Sequence, residues 1–212
     1  MRRLPARPVH PMESDPRRRR HIMITVVRRR PPGSPLLWPV HRLDPAPPAP
    51  HTDAELAALI SLLTCRDART RILAVGHSRD EPSREAAHAL ADAWTARGGR
   101  VLTVVSWPEE AASWLRAATR LTTPRPDAWV MAAAPLGFAQ LARRLRHSTD
   151  WDPARTFAFA SLQDPRLPGL AGPGVLDGLR GATPEGGTWD VDGDHLSAHD
   201  PEARTGTYSA PR

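Results

Sequence analysis

The chain has 212 residues and a formal net charge of +6, with 24 prolines, a single cysteine and, among its 29 basic residues, no lysine. That length accommodates one domain of ordinary size plus tails. The lone Cys65 excludes an intramolecular disulfide and a cysteine metal site, and the missing lysine excludes Schiff-base and P-loop lysine chemistry.

The first stretch, residues 1–51, reads as a disordered Arg/Pro-rich tail. Proline recurs through it, removing backbone donors and fixing φ, so neither helix nor sheet propagates. The excess charge sits here, in the arginines at 17–20 and 28–30. Without these seven the formal charge is close to zero. Such an arm is normally solvated, and it lacks the interleaved aromatics on which single-stranded bases stack, so no specific nucleic-acid partner is expected. Residues 22–27, Ile-Met-Ile-Thr-Val-Val, have strand composition and are suited to pairing on a sheet edge. They are too few for the apolar core of an export signal, and no segment is long enough to span a bilayer. The chain as encoded is therefore expected in the cytoplasm, or outside it if the true start lies elsewhere.

At Thr52 the pattern changes. Thr52 and Asp53 are plausible N-caps with Glu55 in the first turn, and Leu56, Leu59, Ile60 and Leu63 form one helical stripe. Ile72-Leu73-Ala74-Val75-Gly76 is an apolar run without polar alternation, which suits a strand buried on both faces. A helix over residues 83–97 follows, closed by Gly98-Gly99. The unit then repeats: strand 101–105, helix 108–120, strand 127–133, helix 136–147, strand 156–161, a short helix at 165–170 and a last strand over 176–182. Trp94, Trp107, Trp114 and Trp129 fall on these periodic elements and read as core.

Strands alternating with helices of this length predict an α/β fold: a three-layer open parallel sheet with helices on both faces, a flavodoxin-like single lobe over residues 52–185. Residues 186–212 are expected to be a second disordered tail. In such sheets ligands dock at the carboxyl ends of the strands, here the loops at 76–82, 106–109, 133–137 and 161–165.

Two local patterns resemble chemistry and fall short of it. Gly76-His77-Ser78-Arg79-Asp80 echoes a nucleophile elbow, but aspartate stands where the closing glycine belongs, and Asp177 and His195 would have to complete a triad from a loop and a tail. Asp190-Val191-Asp192-Gly193-Asp194-His195 with His199 gathers carboxylates, but the spacing is wrong for a calcium loop and it reads as a solvated acidic tail. No dinucleotide or P-loop motif is present. No catalytic residue, metal or cofactor is expected.

The order of pieces is more specific than any single motif. It runs from Ile72-Leu73-Ala74-Val75, through a polar loop, to the 83–97 helix with its Gly-Gly ending. Pro126-Asp127-Ala128-Trp129-Val130-Met131 and Ala139-Gln140-Leu141-Ala142-Arg143-Arg144-Leu145-Arg146 follow, and residues 170–183 close the segment with Leu-Ala-Gly-Pro-Gly-Val-Leu. This order, covering about half the chain, resembles the second lobe of the type I periplasmic binding proteins, the leucine-binding class of ABC-transporter substrate-binding proteins. The resemblance implies a non-catalytic protein that holds a small solute, an amino acid or amide. It places ligand contacts at His77, Ser78 and Glu81, at the backbone of Ala134, and at Ser161, Gln163 and Asp164. With only one lobe matched, it also implies a truncated or degenerate member whose cleft a second protein chain would complete. The alternative is a cytoplasmic protein-interaction or regulatory module of the same fold, with the arginine tail as docking arm.

Overall fold

In the computed structural model, residues 47–65 and 70–201 are described. The readings made above for residues 1–46, among them the strand-like 22–27 segment and both arginine runs, and for residues 202–212, lie outside the described residues.

Helix α1 spans Asp53–Thr64 and opens with a complete capping box. The Thr52 hydroxyl accepts from the Glu55 N–H at 3.1 Å, and the Glu55 carboxylate reaches back to the Thr52 N–H at 3.3 Å. Strand β1 (Ile72–Ser78), helix α2 (Glu81–Ala96), strand β2 (Arg100–Trp107), helix α3 (Leu115–Thr122), strand β3 (Ala128–Ala132) and helix α4 (Pro135–Ser148) follow. Strand β4 (Thr156–Ala158), helix α5 (Leu167–Ala171), strand β5 (Arg180–Ala182) and the strands β6 (Thr188–Asp192) and β7 (His195–His199) complete the chain.

All seven strands lie in one sheet of order β2-β1-β3-β4-β5-β6-β7. The first five are parallel, in the flavodoxin-like arrangement the sequence predicts. Along each strand alternate side chains enter opposite layers. Leu73, Val75, Ala128, Val130 and Phe157 pack toward α1 and α2. Ala74, Val105, Trp107, Trp129, Met131 and Ala158 pack toward α3, α4 and α5. All four tryptophans read as core are buried. A Cβ on Gly76 would sit 2.7 Å from the Trp107 ring and 2.9 Å from Met131 Sδ. The glycine thus serves packing, letting a tryptophan cross the middle of β1, rather than the tight turn of an elbow.

Four expectations need correction. The helix expected over residues 108–120 forms only from Leu115, because residues 108–114 are irregular. The final strand is shorter than residues 176–182: Leu176 and Leu179 are buried in the turn before β5 instead. The sheet is mixed rather than wholly parallel, because β5, β6 and β7 pair antiparallel. The supposed tail from residue 186 supplies that β6–β7 hairpin. Trp189 is fully buried and donates its indole N–H to the Ala182 carbonyl at 3.0 Å. The carboxylates that suggested a solvated segment are the outward half of an inward–outward alternation with Trp189 and Val191. Gly193, at φ 59°, opens the two-residue turn.

Candidate functional site

The strand order places β1 between β2 and β3, so the crossovers leaving β1 and β3 diverge at the carboxyl ends of these two strands, the position where open α/β sheets commonly take ligands. The central side chain there is Ser78. Strand β1 runs two residues further than its apolar run, so Ser78 belongs to the strand and is fully buried. Its hydroxyl donates to Asp80 Oδ2 at 2.5 Å, lies 3.0 Å from the Ser83 hydroxyl, and accepts the Ala134 N–H at 3.1 Å. One side chain thereby ties the ends of β1 and β3 together.

Asp80 has a second task. Its other oxygen accepts the Ser83 N–H at 2.9 Å and caps α2. Helix α4 has no such cap of its own, because its N-cap is Ala134. Glu109, from the β2–α3 loop, supplies the missing acceptor: its Oε2 takes the Gly137 N–H at 2.8 Å. A glycine is needed there, because a Cβ at 137 would lie 2.6 Å from that oxygen. The other oxygen, Oε1, is buried without a hydrogen-bond partner. Burial pushes the Glu109 carboxyl above its ordinary range. The Gly137 N–H pulls it back, the Asp80 charge adds to the rise, and the nearby Ser78 hydroxyl lowers it.

Glu55 performs a related role one strand along. It is 2% exposed, and Oε1 accepts the Ala160 N–H at 2.5 Å, fixing the short 3-10 turn Ala160–Leu162 after β4. Its carboxyl is also raised, by burial first, against the Ala160 and Thr52 N–H groups and His51.

The residues expected at the site are partly brought together and partly dispersed. Ser78 and the Ala134 backbone meet directly. His77, next to Ser78 on the strand, points into the opposite layer, where its ring lies 6.2 Å from His88. Its Nδ1 lies 2.7 Å from the Ser78 carbonyl, and burial lowers its pKa, with His88 and Arg84 adding to that effect. Glu81 is exposed and pairs with Arg84. Asp164 accepts three bonds from Arg166, whose hydrogen bond is the main reason its carboxyl is held low. Ser161 and Gln163 are half-buried in and just after the Ala160–Leu162 turn.

The expected list lacks Asp80 and Glu109, which join Ser78 at these strand ends. The first was legible as an aspartate ahead of Glu81-Pro82, the signature of an N-cap. The second lies in the 106–109 loop already marked as a strand end, but nothing local singles out its side chain, because Glu109 reaches Gly137 only through the tertiary fold.

Two other readings can be placed. Among the described residues Ser78 Oγ meets Asp80, Ser83 and the Ala134 N–H, while His77 turns away and His195 is exposed on β7. Asp190 is paired with His199 across the hairpin at 2.7 Å. Among the described residues no group of three or more His, Cys, Asp or Glu side chains is arranged to hold a metal ion. Among the described residues the polar side chains gathered here are two carboxylates and two hydroxyls that largely bond one another, with Glu109 Oε1 left over as an acceptor. It suits a ligand group that brings positive charge or N–H donors.

No family model matches the chain, and no curated protein matches it. Solved structures do. A substrate-binding periplasmic protein from Ralstonia solanacearum aligns with 69% of this chain and 38% of its own length, at 18% identity and a TM-score of 0.54. A protein described as a branched-chain amino acid ABC transporter from Rhodospirillum rubrum aligns over 61% and 36%, at 19% identity and 0.52. An extracellular ligand-binding receptor from Rhodopseudomonas palustris aligns over 63% and 36%, at 13% identity and 0.53. The described domain therefore has the α/β fold found in part of these binding proteins, and the chain spans little more than a third of their length. No helix among the described residues is long and apolar enough to cross a membrane.

Proposed function

We propose that this chain is a non-catalytic solute-binding module, a reduced relative of the ABC-transporter substrate-binding proteins, that takes an amino acid or amide at the carboxyl ends of β1 and β3. The observation that carries this reading is the Ser78–Asp80–Glu109 constellation at the point where the strand order reverses. Glu109 keeps one oxygen buried without a partner, which a folded protein tolerates at a cost of about 1–3 kcal/mol. An ammonium or amide N–H of a solute would satisfy that oxygen and the Asp80 charge together. The Ala134 backbone and the turn carrying Ser161 and Gln163 would supply the further contacts. The branched-chain amino acid named for one structural neighbour carries an ammonium, in keeping with this chemistry, and a single lobe leaves one side open for a second wall.

The test is a thermal-shift series with amino acids, their amides, and the matching carboxylic acids that lack the amine. Binding to the folded state raises the melting temperature by mass action, by about 2.7 kcal/mol of stability at one hundred times Kd. Amino acids and amides should shift the transition and the amine-free acids should not. A shift by the amine-free acids alone would reverse the assignment of charge. No shift with any of them, together with capture of a stable protein partner, would favour the interaction module. The observation behind that second reading is that the polar groups at these strand ends largely satisfy one another already.

A further inference from the structure

The two edges of the sheet differ in chemistry. Strand β7 forms one edge with short, mostly exposed residues, His195 and His199 among them. Strand β2 forms the other edge and is the longest strand of the sheet at 8 residues. Its sequence Arg-Val-Leu-Thr-Val-Val-Ser-Trp has no charge after Arg100 and no proline or glycine. Val101, Leu102 and Val104 are only half-buried. Natural edge strands are usually blunted by charge, proline, shortness or a bulge. Here the one such device is the register shift at Leu102. Beyond it, Thr103 to Trp107 run in unbroken register with Ala74 to Ser78. Among the described residues no strand pairs with the outer side of that segment.

Charge around β2 is polarised. Arg97 and Arg100 are exposed where the chain enters the strand, and Glu110 is exposed just past its end. A parallel partner with the same sequence would set like charges side by side. An antiparallel copy sets each entrance against the other's exit. Centred on Val105, that register puts Thr103 opposite Trp107 and Val104 opposite Ser106, and turns the Arg100 end of each strand toward the bend that carries Glu110 on the other. Pro108, which has no N–H to donate, ends the pairing just past Trp107. Leu115, the one large apolar side chain exposed among the described residues, begins α3, which packs on β2.

We propose that two copies of this chain pair antiparallel through the outer edges of β2, forming one continuous sheet across a two-fold axis. The axis reverses strand direction, so the two sets of carboxyl ends lie at opposite ends of the pair. Pairing therefore needs no solute and does not supply the second wall of either site.

Analytical ultracentrifugation of the full chain over a concentration series tests this, with circular dichroism to confirm that each variant is folded. The unaltered chain should show a monomer–dimer equilibrium. Arg100→Glu and Glu110→Arg should each weaken dimerisation about 10-fold, since each turns two attractive contacts repulsive. The double variant should recover to within about threefold of the original. A monomer at every concentration would overturn the proposal. So would a dimer indifferent to both single variants, or a double variant weaker than either. A dimer that binds no solute would remove the solute-binding reading and leave this one standing.

Discussion

The two ends of the parallel strands are built on different terms. At the amino end charges are matched and mostly near water. Asp127 accepts the N–H groups of Arg71 and Ile72 at 3.0 and 2.9 Å, and Arg155 pairs with Asp152 while stacking 4.9 Å over the Trp129 ring. Arg180 lies over Phe157 in the same way. At the carboxyl end Glu55 is buried and Glu109 half-buried, each carboxyl raised by that burial, and Glu109 carries an oxygen with no hydrogen-bond partner. Exposed ion pairs add little to stability, whereas a buried, incompletely satisfied carboxylate costs stability outright. One end thus leaves its charges satisfied at little cost, and the other retains a polar group that the fold does not fully satisfy.

The largest effect should come from the amino end. Trp129 is buried, donates its indole N–H to the Leu121 carbonyl at 2.9 Å and carries the Arg155 stack. Trp129→Ala should cost about 3–5 kcal/mol in urea denaturation. A cost under about 1 kcal/mol would mean that the layer of α3 and α4 does not rest on this side chain.

Ser78→Ala comes next. It removes the donor to Asp80 and the acceptor for the Ala134 N–H together. The loss should be about 1–3 kcal/mol, mostly from leaving the Ala134 amide without its partner. An unchanged midpoint would separate the two strand ends and weaken the site as described.

The pH dependence is smaller and has a defined sign. Glu55 and Glu109 both have folded-state values above the ordinary glutamate value of 4.5. The folded state therefore binds more protons than the unfolded one in the interval just above that value. Their contribution to stability is fully present below it and is lost as pH rises through the folded values. Asp164 runs the other way, its low carboxyl contributing above the unfolded value and losing that contribution on acidification. Glu109→Gln should flatten the decline in stability above pH 4.5, followed by urea midpoints at a series of pH values. An unaltered slope would assign the decline to Glu55 alone.

Much of the fold was legible in the sequence, because apolar period, caps and glycine stops act locally. Thr52 with Glu55, Gly98 past α2 and the unalternated run of β1 each specify their element within a few residues. The β6–β7 hairpin was missed because its carboxylates resembled a solvated tail. The alternation of Trp189 and Val191 with Asp190 and Asp192, followed by Gly193-Asp194, carried the signal. Helix α3 was drawn too long because Pro108 looks like a first-turn proline, whereas Glu109 leaves that segment to cap α4. The geometry of the strand ends was half legible. Ser78 and the Ala134 backbone meet as their places at strand ends suggest. His77 turns to the other layer by strand alternation, and Glu81 and Asp164 bond arginines close in sequence.

The most direct measurement is titration calorimetry of an amino acid into the unaltered chain and into Asp80→Asn and Glu109→Gln, both checked for folding. The solute-binding account predicts heat of binding in the unaltered chain that weakens about 10-fold or more in each variant, as expected when a charge-assisted contact is lost. Equal binding in all three, or binding only of solutes without an amine, would contradict it.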